Sequence, residues 1–231
     1  MEELPPDGQA LTRVHRTKEE AKATYDRLSR WYDLLAASSE GPHVEAGIQM
    51  LDVQEGERVL EIGSGTGRGL VALARDTGTS GGVYGLDISR GMLRQASRRL
   101  KVAGRGTEVN LMLGDGARLP LASGSFDAMF MSFALELFDT PRLDQVLEAC
   151  ARVLRAGGRL CVVSMAKQGR GSLSVRVYEW VHEVMPRWVD CRPIPVEDVL
   201  EQAGYEIVDL EERSMWTVPV HTMLGRPSER A

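Results

Sequence analysis

At 231 residues and a net charge of −5, the chain suits one large domain, or one domain with a cap, and a general attraction to nucleic acid is disfavoured. Hydrophobic residues make up 43% and charged residues 26%, as in soluble globular proteins, and no apolar run approaches the ~20 residues a membrane span needs. The cysteines, Cys150, Cys161 and Cys191, are widely spaced without a C-x-x-C pair, which points to reduced thiols in a cytoplasmic protein and away from zinc or cysteine-held iron–sulfur clusters.

Residues 1–17 are acidic and proline-containing, with no apolar core for a secretory signal, and are expected to form a flexible arm. From Lys18 to Ala37 the residues Tyr25, Leu28, Tyr32 and Leu35 recur at helical steps. A second helix is expected at about 42–52, with Val44, Ile48 and Leu51 on one side. The stretch 18–55 therefore reads as a helical lid on a single domain spanning 18–231.

The stretch RVLEIGSGTGRGLVAL, 58–73, is the organising element. Val59, Leu60 and Ile62 make a short buried strand. Gly63, Gly65 and Gly67 follow at every second position, and Leu70, Leu73 and Ala74 then take helical spacing. A strand–glycine turn–helix unit aims free backbone N–H groups at a ligand. The spacing is G-x-G-x-G rather than the dinucleotide G-x-G-x-x-G, and no Lys-Ser or Lys-Thr follows to make a P-loop. Glu61, just before the turn, is a poor neighbour for a pyrophosphate and a good one for an ammonium group.

VYGLDI, 83–88, is a second strand ending in Asp87, placed to accept hydrogen bonds from ribose hydroxyls. Ser89 can cap the next helix, about 90–103, whose arginines read as a solvated face. Val109, Leu111 and Leu113 alternate as a third strand, followed by Gly114-Asp115-Gly116-Ala117. AMFMSFAL, 128–135, reads as a fourth strand with Ser132 and Phe133 where it leaves the sheet. Thr140-Pro141 is expected to open a helix that Gly157-Gly158 closes, and RLCVVSM, 159–165, is strand five. Residues 167–195 break the alternation and are expected to shape a substrate pocket. A short helix ending at Gly204 precedes two final antiparallel strands, in which Trp216, Val218 and Val220 alternate and Pro219 demands a bulge or a shifted strand.

With these elements together, VLEIGSGTG resembles the first motif, E/D-x-G-x-G-x-G, of the class I S-adenosylmethionine (SAM) methyltransferases. Leu119-Pro120-Leu121, Ser125-Phe126-Asp127 and ARVLRAGGRLCVV extend the likeness over roughly residues 20–165. The Tyr-Asp pairs at Tyr25 and Tyr32 resemble one in the ubiquinone/menaquinone-biosynthesis branch. The resemblance implies an α/β, doubly wound, Rossmann-like, mostly parallel seven-stranded sheet with an antiparallel last strand. It implies SAM as cofactor, held by Tyr25, Tyr32, Glu61, Gly63, Ser64, Gly65, Gly67, Asp87, Ile88, Met92, Asp115, Gly116, Ala117 and Ser132. Asp115 would meet the adenine amino group, and Ile88 and Met92 would flank the ring.

The acceptor expected is a small or lipid-like molecule, first a quinone- or phenol-type ring carbon or oxygen, second a phospholipid amine or a secondary metabolite. Peripheral contact with a membrane and a homodimer are both compatible with the sequence. No catalytic base or metal site is assigned; His182, Glu183, Asp190 and His221 are the candidate bases. A SAM-binding module without catalysis would carry the same binding residues, and an NAD-dependent oxidoreductase is opposed by Glu61 and the glycine spacing.

Overall fold

The structure is a computed structural model and describes residues 32–167, 193–216 and 218–228. In chain order its elements are α1 Tyr32–Leu51, β1 Arg58–Ile62, α2 Arg68–Asp76, β2 Gly82–Asp87, α3 Arg90–Val102, β3 Val109–Leu113 and β4 Phe126–Ser132. Then follow α4 Leu143–Val153, β5 Leu154–Met165, α5 Val196–Gln202, β6 Tyr205–Met215 and β7 Val218–Pro227. The strands form one seven-stranded sheet in the order β3-β2-β1-β4-β5-β7-β6. Pairs among β1–β5 are parallel, and β7 runs antiparallel to both its neighbours.

This is the expected doubly wound sheet, and the physical reason is the covering on both faces. Alternate strand residues feed two apolar cores. Val59, Phe130 and Val163 join Leu51, Leu70 and Leu100 from α1, α2 and α3. Leu60, Met129 and Val162 join Leu147 and Leu200 from α4 and α5. The central strands β1 and β4 are therefore apolar on both sides, as buried parallel strands are. The chain moves from β1 toward β2 and β3, then returns to β4 on the other side of β1. The switch point between β1 and β4 opens a crevice at the strand carboxyl ends, where sheets of this kind hold ligands.

Several boundaries differ from the sequence expectation. One helix, α1, runs through Gly41 and Pro42, where a break and a second helix were expected. Its inner face settles this: Gly47 lies so close to Val163 and Phe130 that a Cβ there would meet them at 2.5 and 2.8 Å, so packing holds the helix on the sheet. β4 stops at Ser132, three residues early, because Phe133 takes φ +48. Thr140-Pro141 opens a 3₁₀ turn, Thr140–Arg142, capped by Asp139, whose carboxylate accepts the Thr140 N–H at 3.0 Å, and α4 starts only after it, at Leu143. α4 ends at Val153; Gly157 and Gly158 instead shape an irregular stretch of β5, where Leu154 pairs with Phe126 and Arg159 with Ala128. Trp216 lies in the β6–β7 turn at φ +49, not in a strand.

Pro219 sits in β7 between β5 and β6 without a bulge at its position. Its carbonyl accepts the Ala166 N–H at 2.8 Å, just past the last β5–β7 pair, so its missing N–H falls where that ladder ends. The register shift lies at the other end of the hairpin, between Ile207 and Asp209. Tyr25 and nearly all of 167–195 lie outside the described residues, and of Tyr32 only the backbone position, the first residue of α1, is described.

Candidate functional site

The glycine turn after β1 adopts left-handed backbone at all three glycines, φ +70 at Gly63, +51 at Gly65 and +80 at Gly67, which L side chains resist. Their surroundings separate them. A Cβ on Gly63 would lie 2.5 Å from Ala134 Cβ, and one on Gly67 would lie 2.8 Å from Ala96 Cβ. A Cβ on Gly65 would meet nothing nearer than the Gly63 carbonyl at 3.9 Å. Two glycines therefore let elements pack, and the middle one faces open space. The turn is tied to β2 by the N–H groups of Gly63 and Ser64, which donate to the Leu86 carbonyl at 2.8 and 3.2 Å. α2 opens immediately after it with no side-chain cap, so its first N–H groups are left for a ligand.

Beneath this turn lie two buried polar side chains. Glu61 is 2% exposed and reaches under Gly69, where a Cβ would stand 2.5 Å from its Oε1. Its Oε2 has no hydrogen-bond partner. Burial, and then the nearby Asp87 charge, push the Glu61 carboxyl well above the ordinary range. Ser64 is also buried, with Oγ unpartnered and turned inward toward Gly85, the register partner of Glu61. Two orphaned buried polar groups cost folding free energy. They mark a place built for a polar or cationic ligand group.

Asp87 ends β2 with its carboxylate already oriented: Oδ2 accepts the Gly65 N–H and Oδ1 the Ser89 N–H, each at 2.8 Å. Ser89 Oγ caps α3 by accepting the Met92 N–H at 3.1 Å. Met92 is buried and Ile88 half-buried. After β3, Asp115 Oδ1 accepts the Ala117 N–H at 3.1 Å while Oδ2 faces Arg142 Nη2 at 3.4 Å. Gly116 sits tightly against Ile62 and Phe138, where a Cβ would meet them at 2.8 and 2.9 Å. Ser132 is half-buried at the end of β4, and the buried Phe133 ring meets His43 edge-on, with centroids 6.2 Å apart. The structure thus brings Glu61, Gly63, Ser64, Gly65, Gly67, Asp87, Ile88, Asp115, Gly116, Ala117 and Ser132 to the carboxyl ends of four adjacent strands.

Sequence reasoning missed Arg142, Phe138, His43 and, above all, Glu136. Glu136 stands on the 3₁₀ turn Leu135–Leu137, is wholly buried, and accepts the Met165 N–H at 3.3 Å. Burial pushes its carboxyl up to about 7, against hydrogen bonds from Met165 and Ser164. The signal was an acid alone inside the apolar run FALELF. Among the candidate bases, His221 lies on β7, 8% exposed, with Nε2 3.6 Å from Glu212 Oε1. His182, Glu183 and Asp190 lie outside the described residues. Among the described residues no group of three His, Cys, Asp or Glu could hold a metal ion, and no helix is long and apolar enough to cross a membrane.

Residues 59–158 match the family model described as a methyltransferase domain. The methyltransferase GfsG of Streptomyces halstedii is 39% identical over 195 residues, covering 79% of this chain and 67% of that protein. The demethylmenaquinone methyltransferase of Geobacillus kaustophilus is 30% identical over 174 residues, covering 75% of this chain and 72% of that protein. Among solved structures, the [4+2]-cyclase SpnF superposes with a TM-score of 0.74 at 16% identity, covering 92% of this chain and 97% of that one. A SAM-dependent methyltransferase from Aquifex aeolicus gives 0.62 at 22% identity, covering 87% of this chain and 97% of that one.

Proposed function

This chain belongs to the class I SAM-dependent methyltransferases, and from that premise we propose that it methylates a small or lipid-like acceptor, at a ring carbon or oxygen of a quinone- or phenol-type molecule. The observation that carries the assignment of the cofactor site is the pair of buried, orphaned atoms Glu61 Oε2 and Ser64 Oγ by a glycine turn whose middle glycine faces open space. These residues fit a nucleoside amino acid. Glu61 suits the ammonium of the methionyl part. Asp87 holds two acceptor oxygens in fixed rotamer for the ribose hydroxyls. Asp115 and the backbone of Gly116 and Ala117 read the adenine edge, with Ile88 and Met92 beside the ring. Gly65 lets the cofactor approach the backbone closely, Gly63 and Gly67 seat the turn against Ala134 and Ala96, and the Tyr-Asp pairs at Tyr25 and Tyr32 each offer a tyrosine for the cofactor.

The bound cofactor supplies a methyl group already activated by its sulfonium. The protein's task is proximity, alignment and the removal of one proton, because an oriented pair reacts far faster than a free one. Ser132 and Phe133, where β4 leaves the sheet, would line the acceptor side. The quinone-type acceptor is favoured by the demethylmenaquinone methyltransferases among the relatives.

The first experiment is calorimetric titration with SAM, S-adenosylhomocysteine and NAD in parallel, followed by transfer of labelled methyl to a 1,4-naphthohydroquinone, simple phenols and a phosphatidylethanolamine vesicle. Micromolar binding of the adenosyl ligands and label on the hydroquinone or phenol support the proposal. Binding of NAD alone overturns the cofactor site, and label on the phospholipid amine alone overturns the acceptor.

A further inference from the structure

Methyl transfer to a hydroxyl or ring carbon releases a proton, and that proton has to leave a crevice lined by buried strand ends. We propose that Glu136 takes up this proton and that Ser164 and His221 pass it to the surface at Glu212. The proposal rests on the acceptor reading above. In balance, the acceptor's X–H electron pair stays on X as the new X–CH3 bond forms, the sulfur–methyl bond breaks with its pair on sulfur, and the proton goes to the Glu136 carboxylate.

The route is built from one rung of the sheet. Ser164 is the register partner of His221 on β7, and His221 is the register partner of Glu212 on β6. Register partners in antiparallel strands face each other on one side of the sheet, with Cβ atoms about 5 Å apart. The three side chains therefore form a polar row across β5, β7 and β6. Two residues along the strands, the equivalent rung is Val162, Met223 and Leu210, wholly apolar. A polar row in an apolar face has a desolvation cost that packing alone would avoid.

The inner end of the row meets Glu136. This residue follows Ser132 by four positions, on the same loop whose Ala134 packs against the Gly63 turn. Its carboxylate is held by the Met165 N–H and hydrogen-bonds the Ser164 hydroxyl. The Ser164 hydroxyl has two acceptors within reach, Glu136 and the Met165 carbonyl at 3.3 Å. It can turn from Met165 to give its own proton across the rung to the His221 ring while its oxygen accepts the proton of a protonated Glu136, as a relay hydroxyl must.

At the outer end, burial pushes the His221 imidazole down, against the pull of Glu212 and Glu197. A neutral ring accepts a proton on one nitrogen and releases one from the other. Glu212, its partner at 3.6 Å, has a side chain 56% exposed and delivers to water. The titratable groups around Glu136 and the row are Glu40 of α1, Glu197 of α5, His221 of β7 and Glu212 of β6. Burial poises Glu136 near 7, where a proton can be both taken and returned at working pH.

The test is infrared difference titration of the protein saturated with S-adenosylhomocysteine, in wild type, Glu136→Gln, Ser164→Ala and His221→Gln. A buried carboxyl band should fade with a midpoint near pH 7, be absent in Glu136→Gln, and move its midpoint in both rung variants. All variants should keep S-adenosylhomocysteine affinity within about twofold, as a fold control. With a 1,4-naphthohydroquinone as probe, the wild-type rate should rise through the same midpoint. Glu136→Gln should lose that rise and at least tenfold in rate, in the range of general-base effects. A band that survives Glu136→Gln, or a midpoint unmoved in both rung variants, overturns the relay. If Glu136→Gln does not fold, the two rung variants decide alone. If wild type turns over no acceptor, the acceptor reading has failed, and the infrared titration still decides the relay.

Discussion

Gly65→Ala and Gly63→Ala should separate cofactor binding from folding. Both place a Cβ on left-handed backbone, which costs ~1–2 kcal/mol for an L residue. At Gly65 little is added, since the new methyl meets nothing within 3.9 Å. At Gly63 the methyl would stand 2.5 Å from Ala134 Cβ, so the β4 loop or the glycine turn must shift, adding ~1–3 kcal/mol of overpacking. In a chain of 231 residues, each kcal/mol lowers the melting temperature by roughly 2–4 °C. Gly65→Ala should therefore melt roughly 2–8 °C low, and Gly63→Ala clearly further. The order should invert for SAM relative to stability lost, because the space at Gly65 is where the cofactor backbone approach is proposed. There a methyl should weaken SAM binding at least tenfold, about 1.4 kcal/mol. Thermal melts and calorimetric titration of both variants read the two quantities. Wild-type SAM affinity in Gly65→Ala, or equal melting of the two variants, refutes the reasoning.

Asp87→Asn keeps the shape of the residue but loses its charge-assisted acceptance from the Gly65 and Ser89 N–H groups, so SAM affinity should fall at least tenfold by calorimetry. Glu136 has a folded pKa raised from 4.5 to about 7, so the stability it contributes is complete below pH 4.5 and lost as pH rises to about 7, by about 3 kcal/mol. Denaturant melts across that window should show a falling slope that Glu136→Gln reduces; Glu61, also raised, supplies the remainder. Arg159 donates to the carbonyls of Leu51 and Asp52 and to both Glu57 oxygens at 2.6–2.9 Å, so Arg159→Ala should cost about 2–3 kcal/mol in urea melts. Burial raises the Glu57 pKa but its hydrogen bonds, chiefly from Arg159, more than reverse this, so its stabilisation is lost as pH falls below 4.5. That acid-side loss should shrink in the same variant.

The cofactor side of the crevice was legible because its chemistry is local. Three alternate glycines are required by three left-handed backbone positions, and Asp87 and Asp115 end strands whose alternation is visible in the sequence. The acceptor side was not. Nothing in a phenylalanine announces φ +48, so Phe133 reads as strand, β4 reads three residues too long, and the 3₁₀ turn that carries Glu136 goes unread. Gly157 and Gly158 read as a helix stop because glycine pairs usually are one, yet here they shape the β5 irregularity opposite Phe126 and Ala128. Pro219 is resolved only by knowing where the β5 ladder ends, which is a tertiary fact.

The two buried carboxyls, Glu61 and Glu136, divide the work of the crevice between them. Each is forced toward its neutral form by burial, but the neighbours differ. Glu61 lies under a helix start and beside Asp87, with an oxygen that nothing in the protein satisfies. Only an incoming cation would make its ionised form comfortable, which suits the ammonium of the cofactor and makes binding release a proton. Glu136 is instead anchored by a backbone N–H and a rotatable hydroxyl, and can change charge with both anchors kept. A fixed acid that waits for a cation and a cushioned acid that cycles its proton are what cofactor capture and turnover respectively require. That the fold places one at the carboxyl end of β1 and the other after β4, on opposite sides of the switch point, is the geometric basis for reading the first as the cofactor side and the second as the acceptor side.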